Sequence, residues 1–307
     1  MTERYERASY TEGLHPKSPG LDTRSAEELV RLLWEDQLEG LTALEDVLDR
    51  IARVASVFAE VVASGGRVFY VGAGTSGRLA LVDAIELPST FGVDPGLVTV
   101  LFPGKPFSEI VEAEAQEDDL QAGRRKVEEA GVSGGDLVIG ISASGRTPFV
   151  LGALEEAKAR GAATAGITNN PGTPLERLVE YSIVLSTGPE LISGSTRLKA
   201  GTAQKAVLNI LSTAALIKLG RVYDGYMISL RANNEKLKAR ALRALTALSG
   251  RSAKEAEKAL SAANGEVDTA LVMLVGRLPA QEARAMLEMH GRNVRKAVEA
   301  LRKGGGE

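Results

Sequence analysis

From Leu41 onward apolar residues recur every three or four positions: Leu41, Leu44, Val47, Leu48, Ile51, Val54, Ala55, Phe58, Val61 and Val62. That spacing lines one face of a helix, and Gly65-Gly66 stops it. A shorter helix is predicted from Ser25 to about Gln37, and before it residues 1–25 are polar, aperiodic and punctuated by Gly13, Pro16, Pro19 and Gly20. They read as an extended arm. Beyond Gly66 the pattern changes to short apolar runs at 67–71, 97–102, 136–141, 163–168 and 181–185. Helical patterns separate them at about 78–85, 106–130, 148–160 and 202–219. Strands alternating with helices predict βαβ units and a parallel sheet, so the loops after the strands are where a ligand belongs.

After about Tyr226 strand signals vanish and alanine-rich helices take over. Residues 252–260 resemble 279–287, 27 positions later, and Val267, Ala270 and Leu274 then match Val294, Ala297 and Leu301. A duplicated helix pair is predicted. The organisation expected is an arm and helix over 1–40, an α/β domain over 41–226 and a small all-α module, UBA-like in its paired helices, over 227–307.

Composition narrows the chemistry. Lysine plus arginine is 37 and aspartate plus glutamate 40, so the net charge is −3 over 307 residues. Such a balance gives no electrostatic reason to bind nucleic acid or an anionic membrane. No basic recognition helix precedes residue 67, which argues against a helix-turn-helix regulator. Cysteine is absent, which removes disulfides, thiolate metal sites and a cysteine nucleophile. The two histidines, His15 and His290, are far apart, so acid–base chemistry falls to carboxylates, lysines or tyrosines. No apolar run nears the roughly 18 residues of a membrane span, and no apolar segment follows the first residues as in a signal peptide. A cytoplasmic protein without metal or cofactor is expected.

The glycines concentrate at one strand end. Val68-Phe69-Tyr70-Val71 runs into Gly72-Ala73-Gly74-Thr75-Ser76-Gly77 and then a helix. The G-x-G-x-x-G spacing matches a dinucleotide fingerprint. That fingerprint also needs an acidic residue about 20 positions on, at the end of the second strand. Here that strand ends in Val100-Leu101-Phe102-Pro103-Gly104-Lys105. Adjacent hydroxyls on Thr75 and Ser76, with backbone N–H groups at a helix start, suit a compact phosphate or sugar better. A tight turn with a capping serine is the plainer reading. A second loop repeats the chemistry: Ser142-Ala143-Ser144-Gly145-Arg146-Thr147-Pro148 follows Leu137-Val138-Ile139-Gly140-Ile141. It offers hydroxyls, a glycine and a nearby cation for a phosphate monoester.

These two loops resemble the sugar isomerase (SIS) fold, whose hydroxyl-rich loops bind phosphosugars. The stretch 188–205 is similar to the signature shared by bacterial N-acetylmuramic acid 6-phosphate etherases and the glucokinase regulatory protein: Gly188-Pro189-Glu190, Ser193-Gly194-Ser195-Thr196-Arg197-Leu198-Lys199 and Gly201-Thr202-Ala203-Gln204-Lys205. Asn169-Asn170-Pro171-Gly172, Asn234-Glu235-Lys236-Leu237 and the early Thr11-Glu12 also match. The resemblance implies a SIS-type α/β fold and cleavage of the lactyl ether of N-acetylmuramic acid 6-phosphate to N-acetylglucosamine 6-phosphate and D-lactate. It implies a homodimer with its site near the interface.

It further implies that Glu86 protonates the departing lactate and that Glu117 is the base at C2, with Glu114 the alternative if the register is shifted. Substrate contacts are implied for Gly74, Thr75, Ser76, Ser142, Ser144, Gly145, Arg146, Thr147, Glu190, Ser193, Ser195 and Lys199. The chain departs from the family in reading Ile85-Glu86-Leu87-Pro88-Ser89 for Ser-Glu-Cys-Pro-Pro, Lys238 for a histidine, and Ala115-Gln116 for Gly-Ala before the second glutamate. An aldose–ketose isomerase on the same fold and a non-catalytic phosphosugar sensor are the alternatives.

Overall fold

In the computed structural model of the chain the described residues are 10–104, 116–230, 232 and 234–304. Contacts divide it into two compact units, residues 1–84 with 96–212 and residues 85–95 with 213–307.

The first unit is built on five parallel strands: β1 (Val68–Gly72), β2 (Val98–Leu101), β3 (Leu137–Ile141), β4 (Ala163–Thr168) and β5 (Tyr181–Val184). Their order is β2-β1-β3-β4-β5. Every residue of β1 and β3 is buried, as central strands covered on both faces require. The order reverses between β1 and β3, and such a switch point opens a crevice at the carboxyl strand ends. The register pairs Gly72 with Ile141, so the loops that follow β1 and β3 leave the sheet side by side.

Around the sheet lie α1 (Ala26–Thr42), α2 (Leu48–Ala63), α3 (Gly74–Phe91), α4 (Leu120–Glu129), α5 (Pro148–Ala159), α6 (Pro174–Leu178) and α7 (Lys199–Lys218), α3 and α7 running on into the second unit. A capping box of Ser25 and Glu28 starts α1. Ile51, Val54 and Phe58 of α2 are fully buried, the apolar stripe expected of that segment. Each such side chain contributes about 1.5–3 kcal/mol relative to exposure.

Three elements differ from their sequence pattern. The helix after β1 starts inside the glycine loop at Gly74 rather than at residue 78, and it continues through Pro88 to Phe91 instead of stopping there. The arm is not extended throughout but makes short 3-10 turns at Tyr10–Glu12 and Leu21–Thr23. Residues 105–115, the first part of the helix expected over 106–130, lie outside the described residues.

The second unit holds a small antiparallel hairpin, β6 (Val222–Tyr223) and β7 (Tyr226–Met227), and five helices. These are α8 (Glu235–Ser249), α9 (Ala253–Ala262), α10 (Val267–Gly276), α11 (Ala280–Met289) and α12 (Val294–Gly304). Its core gathers Ile228, Leu245, Leu260, Leu271, Leu287 and Val298. Ser252 and Glu255 form a capping box for α9, and Pro279 takes the equivalent place before α11. The unit's longer stretch begins within α7, at Thr213, whereas the change of sequence character comes only near residue 226. The helical pattern over 202–219 runs unbroken across that point, so composition does not mark the boundary.

Candidate active site

The loop after β1 delivers the amino end of α3. A Cβ on Gly77 would lie 2.4 Å from the Gly72 carbonyl, so only glycine lets the chain turn this tightly. The first N–H groups of a helix have no partner inside it and point outward with the positive end of the helix dipole. Thr75 is half-buried at that end. Ser76 is turned inward, 8% exposed, and its hydroxyl donates to Gln204 Oε1 at 2.9 Å.

The loop after β3 gathers its hydroxyls. Ser142 Oγ lies 2.8 Å from Thr147 Oγ1 and 3.3 Å from Ser144 Oγ, and it accepts from the Gly145 N–H at 3.1 Å. Ser144 Oγ accepts from the Arg146 N–H at 3.2 Å. Gly145 has φ +62°, and a Cβ there would meet Thr173 Oγ1 at 2.5 Å, so glycine is needed twice over. Pro148 opens α5 directly behind. Ser144 and Thr147 are half-buried and Arg146 is exposed. The result is a nest of rotatable hydroxyls at a helix amino end, a geometry that accepts a phosphate.

The 188–205 segment is built differently. Glu190 is fully buried and its two oxygens accept from the Lys199 and Ala200 N–H groups at 3.1 and 3.0 Å, capping α7. Burial holds its carboxyl above the usual range against those two bonds. Lys199 is 1% exposed, with Nζ 2.6 Å from Asp36 Oδ1 and 3.6 Å from Glu39 Oε2. Thr202 Oγ1 donates to Gln37 Oε1. Ser193 is exposed and donates to the Glu12 carbonyl at 3.0 Å, and Ser195 is half-buried. The arm is tied to the same region, with Ser18 on the Leu191 carbonyl and Thr11 and Asn170 bonded to each other.

His15, Asp36 and Glu39 bring ligand atoms within 4.8 Å of one another, a spacing a cation could use. The charge there is met by the Lys199 ammonium. His15 Nδ1 accepts from the Lys17 N–H, and burial followed by the Lys199 charge lowers its pKa.

Glu117 is half-buried beside the first loop: a Cβ on Gly74 would lie 3.2 Å from Glu117 Oε1. The amino end of α3 therefore lies beside a carboxylate. Glu86 is exposed on α3. Glu114 lies outside the described residues. The residue pattern alone does not single out Asp36 or Gln204; their tertiary partners, Lys199 and Ser76, do.

A parallel sheet with hydroxyl-rich loops at its switch point is the arrangement of a SIS-domain protein, and two family models described as SIS domain match residues 37–169 and 127–214. Among curated relatives, N-acetylmuramic acid 6-phosphate etherase of Deinococcus radiodurans is 43% identical over 89% of this chain and 90% of its own. That of Geobacillus thermodenitrificans is 43% identical over 89% and 92%. The chain belongs to the N-acetylmuramic acid 6-phosphate etherase family. Solved structures similar to it include a phosphoheptose isomerase from Francisella tularensis, 18% identical, covering 62% of this chain and 98% of that one with a TM-score of 0.48. A phosphosugar isomerase described as putative, from Bacteroides fragilis, is 21% identical over 66% and 95%, with a TM-score of 0.49.

Proposed function

We propose that this protein is a carbon–oxygen lyase that converts N-acetylmuramic acid 6-phosphate and water to N-acetylglucosamine 6-phosphate and D-lactate. The observation that carries the reading is the pair of hydroxyl loops leaving β1 and β3 side by side, with the Glu117 carboxylate against Gly74. The C6 phosphate sits on the 142–147 hydroxyls and the amino end of α3, where oriented dipoles meet its charge.

The chemistry is elimination followed by hydration. Glu117 removes the C2 proton of the ring-opened aldehyde, the electron pair forms the C2–C3 double bond, and the C3–oxygen bond breaks. Glu86, protonated at that moment, gives its proton to the departing lactate oxygen. Water then adds at C3, its proton passing to Glu86 as a proton returns to C2. Two carboxyls in unlike surroundings supply the opposed protonation states this sequence needs.

The functional unit is a homodimer in the cytoplasm. Exposed apolar residues on α3, Val82 and Ile85, favour a covered face.

Incubation with N-acetylmuramic acid 6-phosphate in the presence of a chelator, followed by assay of D-lactate, tests the reading. Glu86→Gln and Glu117→Gln each lower the rate by about 10²- to 10⁴-fold. Tight phosphosugar binding with no lactate from the unaltered protein would turn the reading into that of a sensor.

A further inference from the structure

Three buried side chains from separate elements join the loop after β1 to the loop after β3, and their hydrogen bonds have a single consistent polarity. The Ala200 carbonyl can only accept, so Asn169 turns its Nδ2 toward it at 3.5 Å and toward Thr187 Oγ1 at 3.3 Å. Asn169 Oδ1 then accepts from Gln204 Nε2 at 2.8 Å. That leaves Gln204 Oε1 facing Ser76, which donates to it at 2.9 Å. A serine hydroxyl has one proton, and this one is committed. The Asn169 backbone N–H donates at 3.0 Å to the carbonyl of Ala143, inside the second loop, where Asn170 Nδ2 also donates at 2.7 Å. Ser76, Asn169 and Gln204 are 8%, 0% and 1% exposed.

We infer that Gln204 and Asn169 are positioning residues for phosphosugar binding. With Ser76 they form a relay that holds the two phosphate loops at one spacing. The relay leaves Ser76 without a proton to give a phosphate oxygen, which itself only accepts. The phosphate is held by the Thr75 hydroxyl, the first N–H groups of α3 and the 142–147 loop, and Ser76 acts through Gln204. This rests on the phosphosugar reading above and deepens it, separating ligands from supports among the adjacent hydroxyls Thr75 and Ser76. Preorganised binding groups need such a supporting shell.

Calorimetric titration of the full chain with N-acetylglucosamine 6-phosphate tests the relay without turnover. A protein that binds this sugar phosphate yet releases no lactate would overturn the lyase reading and leave this test intact. Ser76→Ala, Gln204→Ala and the double variant are expected to weaken binding by one common factor, within about tenfold, because all three break the same neutral chain. In lactate release the same factor appears in KM and not in kcat, a split that a role confined to folding would not produce. Thr75→Val removes a bond to a charged group, and its larger loss multiplies with that of Gln204→Ala. Losses that multiply between Ser76→Ala and Gln204→Ala would overturn the inference. So would a loss on the order of a hundredfold in Ser76→Ala with Gln204→Ala unchanged. Gln204→Met, similar in length and without hydrogen-bonding groups, replaces Gln204→Ala in the cycle if the latter does not fold.

Discussion

The 142–147 loop and the 188–205 segment are both rich in polar residues, and the fold uses them in opposite ways. In the loop, the buried Ser142 bonds to Ser144 and Thr147, which are half-open to solvent at the amino end of α5, and to the Gly145 N–H. In the segment, Glu190 caps α7 and Lys199 is consumed by Asp36 of α1. Partly exposed hydroxyls such as those of Ser144 and Thr147 can exchange one partner for another at small cost, so they can open for a ligand. A buried ammonium that leaves its carboxylate cannot, because the stranded charge is penalised heavily. The lesson is that a long charged signature can be bound up in scaffold contacts while a short hydroxyl loop keeps its groups accessible.

The largest expected effect comes from cutting the scaffold. Lys199→Met leaves Asp36 buried without its cation and should lower stability by about 3–5 kcal/mol, read in chemical unfolding. Adding Asp36→Leu should recover much of the loss. An unchanged unfolding midpoint with abolished phosphosugar binding would instead make Lys199 a ligand.

A second buried carboxyl sharpens the contrast, because its hydrogen bonds come from hydroxyls rather than from an ammonium. Asp83 accepts from Tyr70 and Ser212, both at 3.1 Å, and burial pushes its pKa up to about 6. The folded chain therefore binds this proton more tightly than the unfolded chain does. Stability from this group is fully present below the ordinary carboxyl pKa and is lost as pH rises through about 6. The span is at most about 3 kcal/mol, and Asp83→Asn should remove it, giving a variant more stable than the parent at pH 8. Unfolding curves at pH 4.5 and 8, with and without the substitution, measure it.

The smallest effect should come from the loop. Thr147→Val removes one hydroxyl from the Ser142 cluster and should weaken phosphosugar binding by about tenfold, near 1.4 kcal/mol, while leaving the thermal midpoint in place. A large fall in the midpoint would mean that the loop, too, is scaffold.

Much of the fold was legible along the chain. Apolar runs at 67–71 and 136–141 became central strands, and the stripe from Ile51 to Phe58 became a buried helix face, because periodicity and burial are local properties of the chain. The helix that begins at Gly74 and passes Pro88 was not, since a glycine loop and a proline read locally as breaks and only packing overrides them. The two hydroxyl loops were legible as chemistry because glycine, serine and threonine at a strand end need only the next helix to form a nest. What the residue order could not decide was the fate of each polar group. Whether Lys199 meets a phosphate or Asp36, and whether Ser76 gives its proton to a ligand or to Gln204, depends on partners 163 and 128 positions away. The order of residues determined which groups exist and which elements carry them. The tertiary structure alone decided which charges were neutralised in the interior and which hydroxyls stayed open, because desolvation acts on neighbours in space.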